Sequence, residues 1–301
     1  MKPPTDLSWK PVLIYLIFVF ALSTIFYTLI ISSGHVGGGM GMYVTGLMWC
    51  PGTAGILTTL ILKRNLSSLG WKWGKIKYNV QSYLVPLLYA FIAYLIIWFM
   101  NWGRFYNKEF VNKLSAAFGW KSAPDAMLIL IYFFVGGTIG MVRSSATALG
   151  EEIGWRGFLV PELYKKFGYT KTSVLTGIIW SVWHYPILLF ADYNSGTPAW
   201  YGLSCFTLMV VSISFVFTWY RIRSGSLWTG ALLHASHNLF IQSFFTPLTQ
   251  NTGNTKYYAD EFGIVLPVVC MCFAFWFWRK RGELIHEKEP DHFPSGKAAP
   301  L

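Results

Sequence analysis

Residues 11–33 read PVLIYLIFVFALSTIFYTLIISS, and this stretch decides the class of fold. It contains no Asp, Glu, Lys or Arg, and a transmembrane helix needs about 20 mostly apolar residues. It is also longer than the apolar core of a cleavable signal peptide, and no small-residue cleavage site follows it. The stretch therefore predicts a first transmembrane helix.

Further apolar stretches follow along the whole chain. The eight predicted spans cover residues 11–33, 42–62, 80–100, 127–149, 172–191, 203–221, 227–245 and 262–278. Over all 301 residues, 54% are hydrophobic and 12% are charged, whereas a soluble domain carries about 25% charged residues. We therefore predict an all-α fold, a polytopic membrane helix bundle with about eight transmembrane helices.

The charged residues lie mainly in short segments between the apolar stretches, and they predict the orientation. With the N-terminus in the cytoplasm, most Lys and Arg side chains fall on the cytoplasmic side, as the positive-inside rule requires. This arrangement puts both termini in the cytoplasm and accounts for the net charge of +11 without a nucleic-acid partner. The lipid bilayer is the expected partner, and a bacterial cell (inner) membrane is the favoured location.

One transmembrane domain accounts for most of the chain. It is expected over residues 1–279, since no internal repeat of the kind found in many transporters is present. Residues 280–301 are charged and contain Pro, Gly and Lys near their end. This composition predicts a disordered cytoplasmic tail.

Carboxylates follow the fourth predicted span directly, as Glu151 and Glu152. Ionisable groups at membrane depth are costly and are therefore functional candidates. In a helix the two carboxylates point about 100° apart, and Glu152 has the favourable i, i+4 spacing for an ion pair with Arg156. We expect Arg156 to hold Glu152 and Glu151 to be free to accept a proton, although ordinary charges at a helix end show the same pattern.

Histidines interrupt two later spans. His184 lies in the fifth span, and His234, His237 and Asn238 lie in the seventh. His234 and Asn238 are one helical turn apart and share a face, and His237 competes with His234 for its role. A lone membrane histidine often only bonds a neighbouring helix, but polar groups on three helices can together close one pocket.

Such a pocket has the parts for amide hydrolysis. A carboxylate and an imidazole can deprotonate a water, and an imidazole and a carboxamide can donate hydrogen bonds to the resulting oxyanion. Alternatively, Glu151, His184 and His234 could bind a divalent metal such as zinc, which would activate the water as a Lewis acid. The H-E-x-x-H pattern of zinc proteases is absent, and the spacing leaves the cofactor open.

Together, these motifs resemble the CAAX-protease and bacteriocin-processing (Abi) family of intramembrane proteases, which includes type II CAAX prenyl endopeptidases. The three parts of its pattern occur in order as Glu151-Glu152-x-x-x-Arg156, Trp180-x-x-x-His184 and His234-x-x-x-Asn238. The resemblance covers about residues 128–245. It implies that the Glu152–Arg156 pair supports the site.

The resemblance also implies a mechanism and a class of substrate. Glu151, aided by His184, would activate water, and His234 with Asn238 would form the oxyanion hole. Membrane-associated proteins or peptides would be the substrates, such as prenylated CAAX-type C-termini or leader peptides. Many members are described as metalloproteases. The oligomeric state is left open.

Two other kinds of function compete with proteolysis. A non-catalytic bacteriocin-immunity or scaffold protein could keep the same fold, but the full set of catalytic residue types argues against it. A proton-coupled transporter could use Glu and His as a relay. Such a protein is expected to have polar groups in the first three spans as well, and these are nearly uncharged.

Overall fold

The computed structural model describes residues 8–284, and helices account for most of them. The helices are α1 Lys10–Ser33, α2 Met42–Ile61, α3 Ile76–Phe99, α4 Lys108–Phe118, α5 Asp125–Val135, α6 Met141–Glu152, α7 Val160–Phe190, α8 Ala199–Ser224, α9 Trp228–Asn238, α10 Thr246–Leu248 and α11 Val265–Arg279. Three π-helical segments, Gly136–Gly140, Ile153–Leu159 and Leu239–Phe245, and four 3₁₀ segments, Gly38–Gly41, Leu66–Leu69, Thr255–Tyr257 and Lys280–Leu284, complete the helical structure. Strands β1 Arg104–Phe105 and β2 Thr249–Gln250 form one short antiparallel pair. The all-α prediction is confirmed.

Five helical segments of the described chain are long and apolar enough to cross a membrane. Four are α1, α2, α3 and α8, which match the first, second, third and sixth predicted spans. The fifth is the continuous run Asp125–Phe190, which contains the fourth and fifth predicted spans. The seventh predicted span corresponds to α9 and the π segment after it, and the eighth corresponds to the 15-residue α11.

The run Asp125–Phe190 is a helical hairpin that turns at Gly168. Gly168 has φ 67° and ψ −171°, a backbone conformation that glycine adopts without steric cost. Trp155 and Trp183, on either side of the turn, have ring centroids 5.8 Å apart. Helical structure continues past residue 149, the predicted end of the fourth span, as far as this turn.

This hairpin sets Glu151 and His184 at the same depth. Glu151 lies 17 residues before Gly168, and His184 lies 16 residues after it. At 1.5 Å per residue, each is about 25 Å from the turn. A span that ended at residue 149 would instead have left Glu151 at the membrane edge, far from the histidines.

Segments that the topology prediction places on one side meet at one end of the bundle. Arg64, after α2, forms a 3.0 Å ion pair with Glu162, near the hairpin turn. The Leu227 amide, between α8 and α9, donates to the Gly70 carbonyl at 2.9 Å. The chain thus returns to this end after α2, at the hairpin turn and after α8.

The connecting turns at the opposite end are also joined. The Val36 amide, between α1 and α2, donates to the Asp192 carboxylate at 2.6 Å. Ser195, between α7 and α8, donates to Asp260 at 2.7 Å. These contacts link three turns across the end of the bundle away from Gly168.

Small residues bring α2 and α6 into close contact at the site. A Cβ built on Gly52 would lie 2.3 Å from the Gly150 carbonyl oxygen, and one on Gly154 would lie 2.4 Å from the Pro51 backbone. Gly150 and Gly154 form a G-x-x-x-G pattern, which permits close helix packing in membranes. This packing fixes the backbone on both sides of Glu151 and Glu152.

The predicted tail begins in ordered structure. Lys280–Leu284 forms a 3₁₀ segment in which Leu284 is buried. The remainder of the predicted tail, residues 285–301, lies outside the described residues.

Candidate active site

Glu151 is held at the end of α6 by two tryptophans. Its side chain is 2% exposed, and Oε2 accepts hydrogen bonds from Trp155 Nε1 at 3.2 Å and Trp180 Nε1 at 2.7 Å. Within residues 8–284, its Oε1 makes no hydrogen bond. The two indole donors orient the carboxylate and leave one oxygen for another partner.

Glu152 and Arg156 form the predicted ion pair inside the bundle. Arg156 Nη1 donates to Glu152 Oε1 at 2.8 Å, and both side chains are 0–1% exposed. The guanidinium carbon lies 4.3 Å from the centroid of Trp180 and 4.1 Å from that of Phe217. Cation–π contact and the carboxylate together stabilise a charge that would be very costly alone.

His234 bonds to the same carboxylate. Its Nδ1 lies 3.0 Å from Glu152 Oε1, and since a carboxylate only accepts, Nδ1 carries the proton. The neighbouring Gly230 makes this approach possible, because a Cβ there would lie 2.6 Å from Glu152 Oε2. Glu152 therefore fixes the ring nitrogen through which His234 can act, namely Nε2.

His184 is oriented by its own helix. Its Nδ1 lies 2.9 Å from the Trp180 carbonyl oxygen, so Nδ1 donates and the neutral ring has Nε2 free to accept a proton. The ring packs edge-on against Trp183 and Phe206, with centroids 4.7 Å and 5.0 Å away. Hydrogen bonding and packing thus hold this imidazole in one orientation.

A single cavity collects the four predicted catalytic side chains. It has a volume of about 170 Å³, and Glu151, His184, His234 and Asn238 all line it. A buried water needs about 10–15 Å³, so there is room for a water and a peptide group. The side-chain carboxamide of Asn238 forms no hydrogen bond within the described part of the chain and is available to a ligand.

Helices α6 and α9, which carry Glu151 and Asn238, each change from α-helical to π-helical geometry next to their site residues. The π segment Ile153–Leu159 follows Glu152 directly, and Leu239–Phe245 follows Asn238 directly. π-Helical turns are frequent at functional sites, where they adjust the direction of side chains. The sequence prediction did not include them.

His237 belongs to a second polar network on the wall of the same cavity. Its Nε2 donates to Glu261 Oε1 at 2.9 Å, and its Nδ1 accepts from the Tyr89 hydroxyl at 2.6 Å. Tyr193 donates to Glu261 Oε2 at 2.7 Å, and Gln242 Nε2 donates to both carboxylate oxygens at 3.1 Å. Burial would raise the pKa of Glu261, but the hydrogen bonds from His237, Tyr193 and Gln242 lower it.

Sequence reasoning missed this second network except for His237. Glu261 precedes the eighth predicted span directly, and with Asp260 it forms a pair of adjacent carboxylates beside an apolar stretch. Glu151 and Glu152 show the same pattern beside the fourth predicted span. Tyr89, Tyr193 and Gln242 carry no comparable signal, because such residues are ordinary in or near membrane helices.

A metal ion would require several donor groups to converge on one point. Within residues 8–284, no group of three or more His, Cys, Asp or Glu side chains is placed to hold a metal ion. The proposed trio of Glu151, His184 and His234 does not meet that arrangement, and one Glu151 oxygen already accepts two indole hydrogen bonds. As arranged in the described part of the chain, these donor groups do not form a metal site.

Apolar helices around a buried polar cavity define the class of this protein as an integral membrane helix bundle with a polar site. Within it, residues 122–240 match the type II CAAX prenyl endopeptidase Rce1-like family. The matched region contains Glu151, Glu152 and the four site residues His184, His234, His237 and Asn238. Gln242 and Glu261 of the second network lie outside it. The family resemblance of the three motifs is thereby confirmed.

A curated relative supports the same assignment. CAAX prenyl protease 2 of Methanococcus maripaludis is 25% identical over 146 residues, which cover 40% of this chain and 53% of the relative. The chain thus spans about half the length of the relative that it matches. The similarity supports the family and leaves the activity of the whole protein as a proposal.

Proposed function

We propose that this protein is an intramembrane endopeptidase that hydrolyses peptide bonds of membrane-associated substrates. Prenylated CAAX-type C-termini are the first substrate class to test, since the matched family and relative carry that activity in their names; leader peptides are the second. One observation carries the proposal. Glu151, His184, His234 and Asn238, from three separate helices, line one buried cavity.

Glu151 and His184 are proposed to activate the water. Glu151 Oε1 would accept a proton from a water in the cavity, while the indoles of Trp155 and Trp180 hold Oε2. His184 Nε2 would accept a second hydrogen bond from the same water and align it. General-base catalysis of this kind contributes about 10²–10⁴-fold. The proton then passes from Glu151 to the leaving amine.

His234 and Asn238 are proposed to stabilise the oxyanion. The Asn238 amide donates from its NH₂ group, and His234 donates from Nε2 when both ring nitrogens are protonated. The Glu152 carboxylate, 3.0 Å from Nδ1, favours that form. Arg156 in turn holds Glu152, so the pair is proposed to support the oxyanion hole without contacting substrate.

The chain is proposed to cross a bacterial cell membrane eight times, with both termini in the cytoplasm. The contacts that join the turns after α2, at Gly168 and after α8 at one end, and three other turns at the opposite end, support this proposal. Lys72, Lys77 and Lys280 lie at the end of the bundle where α3 begins and α11 finishes. This concentration supports its assignment as the cytoplasmic end. Residues 1–279 are proposed to form one transmembrane domain.

Cleavage of a quenched fluorescent, prenylated CAAX peptide by the purified full chain tests the function. We expect turnover by the wild type and by Glu109→Gln, an exposed carboxylate variant, and a loss of about 10²–10⁴-fold in Glu151→Gln. Turnover that survives a chelator supports the metal-free mechanism, and turnover that the chelator abolishes contradicts it. If neither this peptide nor a leader peptide is cleaved, the proposal is wrong and a non-catalytic immunity or scaffold role replaces it.

A further inference from the structure

A large apolar groove runs along the surface of the bundle, outside the catalytic cavity. It has a volume of about 960 Å³. One wall is α3, through residues such as Leu84, Leu88 and Phe91, and the other is α5, through residues such as Ile129 and Phe133. Its lining is almost entirely apolar, as an acyl chain would require.

A basic pocket of about 260 Å³ lies at one end of the bundle. Lys77, Arg223 and Lys280 line it, together with one carboxylate, Glu283. Aromatic rings place two of the ammonium groups, with Lys77 Nζ 4.8 Å from the Tyr78 ring and Lys280 Nζ 4.5 Å from the Trp276 ring. Among the residues that the structure describes, Lys77 and Lys280 bring two ammonium groups to the pocket against the one carboxylate of Glu283.

The groove and the pocket are continuous. Gln81, Val85 and Trp276 line both of them. From Gln81 to Trp98, the groove follows 17 residues of α3, which rise about 25 Å. One leaflet of the hydrocarbon core is about 15 Å thick, half of about 30 Å. The groove is therefore long enough for an acyl chain whose headgroup lies in the basic pocket.

We propose that this groove and pocket bind an anionic glycerophospholipid. An acyl chain would lie between α3 and α5, and the phosphate would be bound by Lys77 and Lys280. Basic pockets between transmembrane helices are suited to anionic headgroups, and the Trp276 indole lies where the apolar and basic parts meet, as is typical of aromatic residues at the membrane interface. A zwitterionic lipid would fit the groove but gain less from the pocket.

This site is separate from the catalytic cavity. None of the residues that line the groove or the basic pocket lines the cavity. At α9 and the segment after it, Asn238 and Gln242 face the cavity, whereas Phe244, Phe245 and Leu248 face the groove. The inference therefore stands independently of the proposed protease activity, and binding can be measured without turnover.

Native mass spectrometry of the detergent-purified full chain tests the headgroup site. The probes are dioleoyl phosphatidylglycerol and dioleoyl phosphatidylcholine, which have the same acyl chains. We expect tighter binding of the anionic lipid, and a loss of about 25-fold in Lys77→Gln/Lys280→Gln, about fivefold for each lysine. The matched variant Lys63→Gln/Lys72→Gln removes two exposed lysines outside the pocket and is expected to bind as the wild type does.

Equal binding of the two lipids by the wild type would overturn the proposal. So would equal losses in the two double variants, because the effect would then come from overall charge. A second pair of variants tests the groove. Leu88→Trp, at a position 47% exposed in the groove, is expected to weaken binding about fourfold for each acyl methylene it excludes. Ile17→Trp, on the lipid-facing side of α1, is the control, and similar binding by both would overturn the acyl site.

Discussion

His234 and His237 lie one turn apart on the same helix, yet each bonds to a different buried carboxylate. His234 bonds to Glu152, which also forms an ion pair with Arg156. His237 bonds to Glu261, which also accepts hydrogen bonds from the neutral side chains of Tyr193 and Gln242. The first histidine is part of a charged pair beside Glu151, and the second is part of a hydrogen-bonded network on another wall of the cavity.

This difference in hydrogen-bond partners distinguishes the roles of His234 and His237, which the sequence alone does not distinguish. Nδ1 of His234 is occupied by Glu152, so Nε2 remains for a ligand. Both nitrogens of His237 are already occupied, by Glu261 and Tyr89. We therefore infer that His234 donates to the oxyanion and that His237 holds the cavity wall in place.

Replacing each histidine by alanine is the strongest test of this comparison. His234→Ala is expected to lower kcat about 10²–10³-fold, the usual cost of losing one oxyanion donor. His237→Ala should lower kcat by less than about tenfold and should lower Tm, because Glu261 loses a donor. Steady-state cleavage of the CAAX peptide and thermal unfolding in detergent measure both effects. Equal losses of kcat would reverse the assignment.

The two carboxylates are expected to differ in stability. Glu152→Gln leaves the buried Arg156 charge without a charged partner, which costs about 3–5 kcal/mol. Glu261→Gln exchanges one hydrogen-bond acceptor for a donor among neutral partners and should cost about 1–3 kcal/mol. Thermal or denaturant unfolding compares them. A larger loss in Glu261→Gln would show that the second network contributes more to the fold than the ion pair does.

The local part of the site could be predicted from the sequence, and the tertiary part could not. The Glu152–Arg156 pair follows from its i, i+4 spacing on one helix. The contacts of His234 with Glu152 and of His237 with Glu261 join residues 82 and 24 positions apart. Side-chain spacing within one helix contains no information about such partners, so the competition between the histidines could not be resolved.

The predicted membrane spans show the same difference between what local sequence indicates and what depends on tertiary contacts. Long apolar stretches predicted α1, α2, α3 and α8 closely, because hydrophobic length alone defines them. The fourth predicted span ends at residue 149 because the charged residues Glu151, Glu152 and Arg156 follow the apolar stretch. In the fold these charges are buried in a hairpin that turns at Gly168, and burial of paired charges is not visible in a hydropathy pattern.

Substitution of Gly230 tests how closely the α9 backbone packs against Glu152. In Gly230→Ala, the new methyl group would lie 2.6 Å from Glu152 Oε2, so the carboxylate must move relative to His234 and Arg156. Overpacking of this kind costs about 1–3 kcal/mol, and kcat should fall with it. Gly282→Ala is the control, since a Cβ there meets nothing within 4 Å. A Gly230→Ala variant as active and stable as Gly282→Ala would contradict the close packing around Glu152.

The smallest expected effect concerns Asp260 beside the second network. Burial and the neighbouring Glu261 charge raise the pKa of Asp260 to about 6, from its ordinary 3.8, with His237 and Ser195 opposing the shift. Between pH 3.8 and about 6 the folded protein binds more protons than the unfolded chain, so this group lowers stability as pH rises. Asp260→Asn should therefore gain in Tm relative to the wild type above pH 6 and lose that gain near pH 4. A pH-independent difference would contradict the shift.

A double-mutant cycle on Glu151 and His184 tests the central claim most directly, namely that both act on one water in the cavity. The measurement is kcat for the CAAX peptide with the wild type, Glu151→Gln, His184→Ala and the double variant. Residues that act as a unit show non-additive losses, so the double variant should be about as inactive as Glu151→Gln alone. Losses that multiply would show that the two residues act independently and would contradict the mechanism.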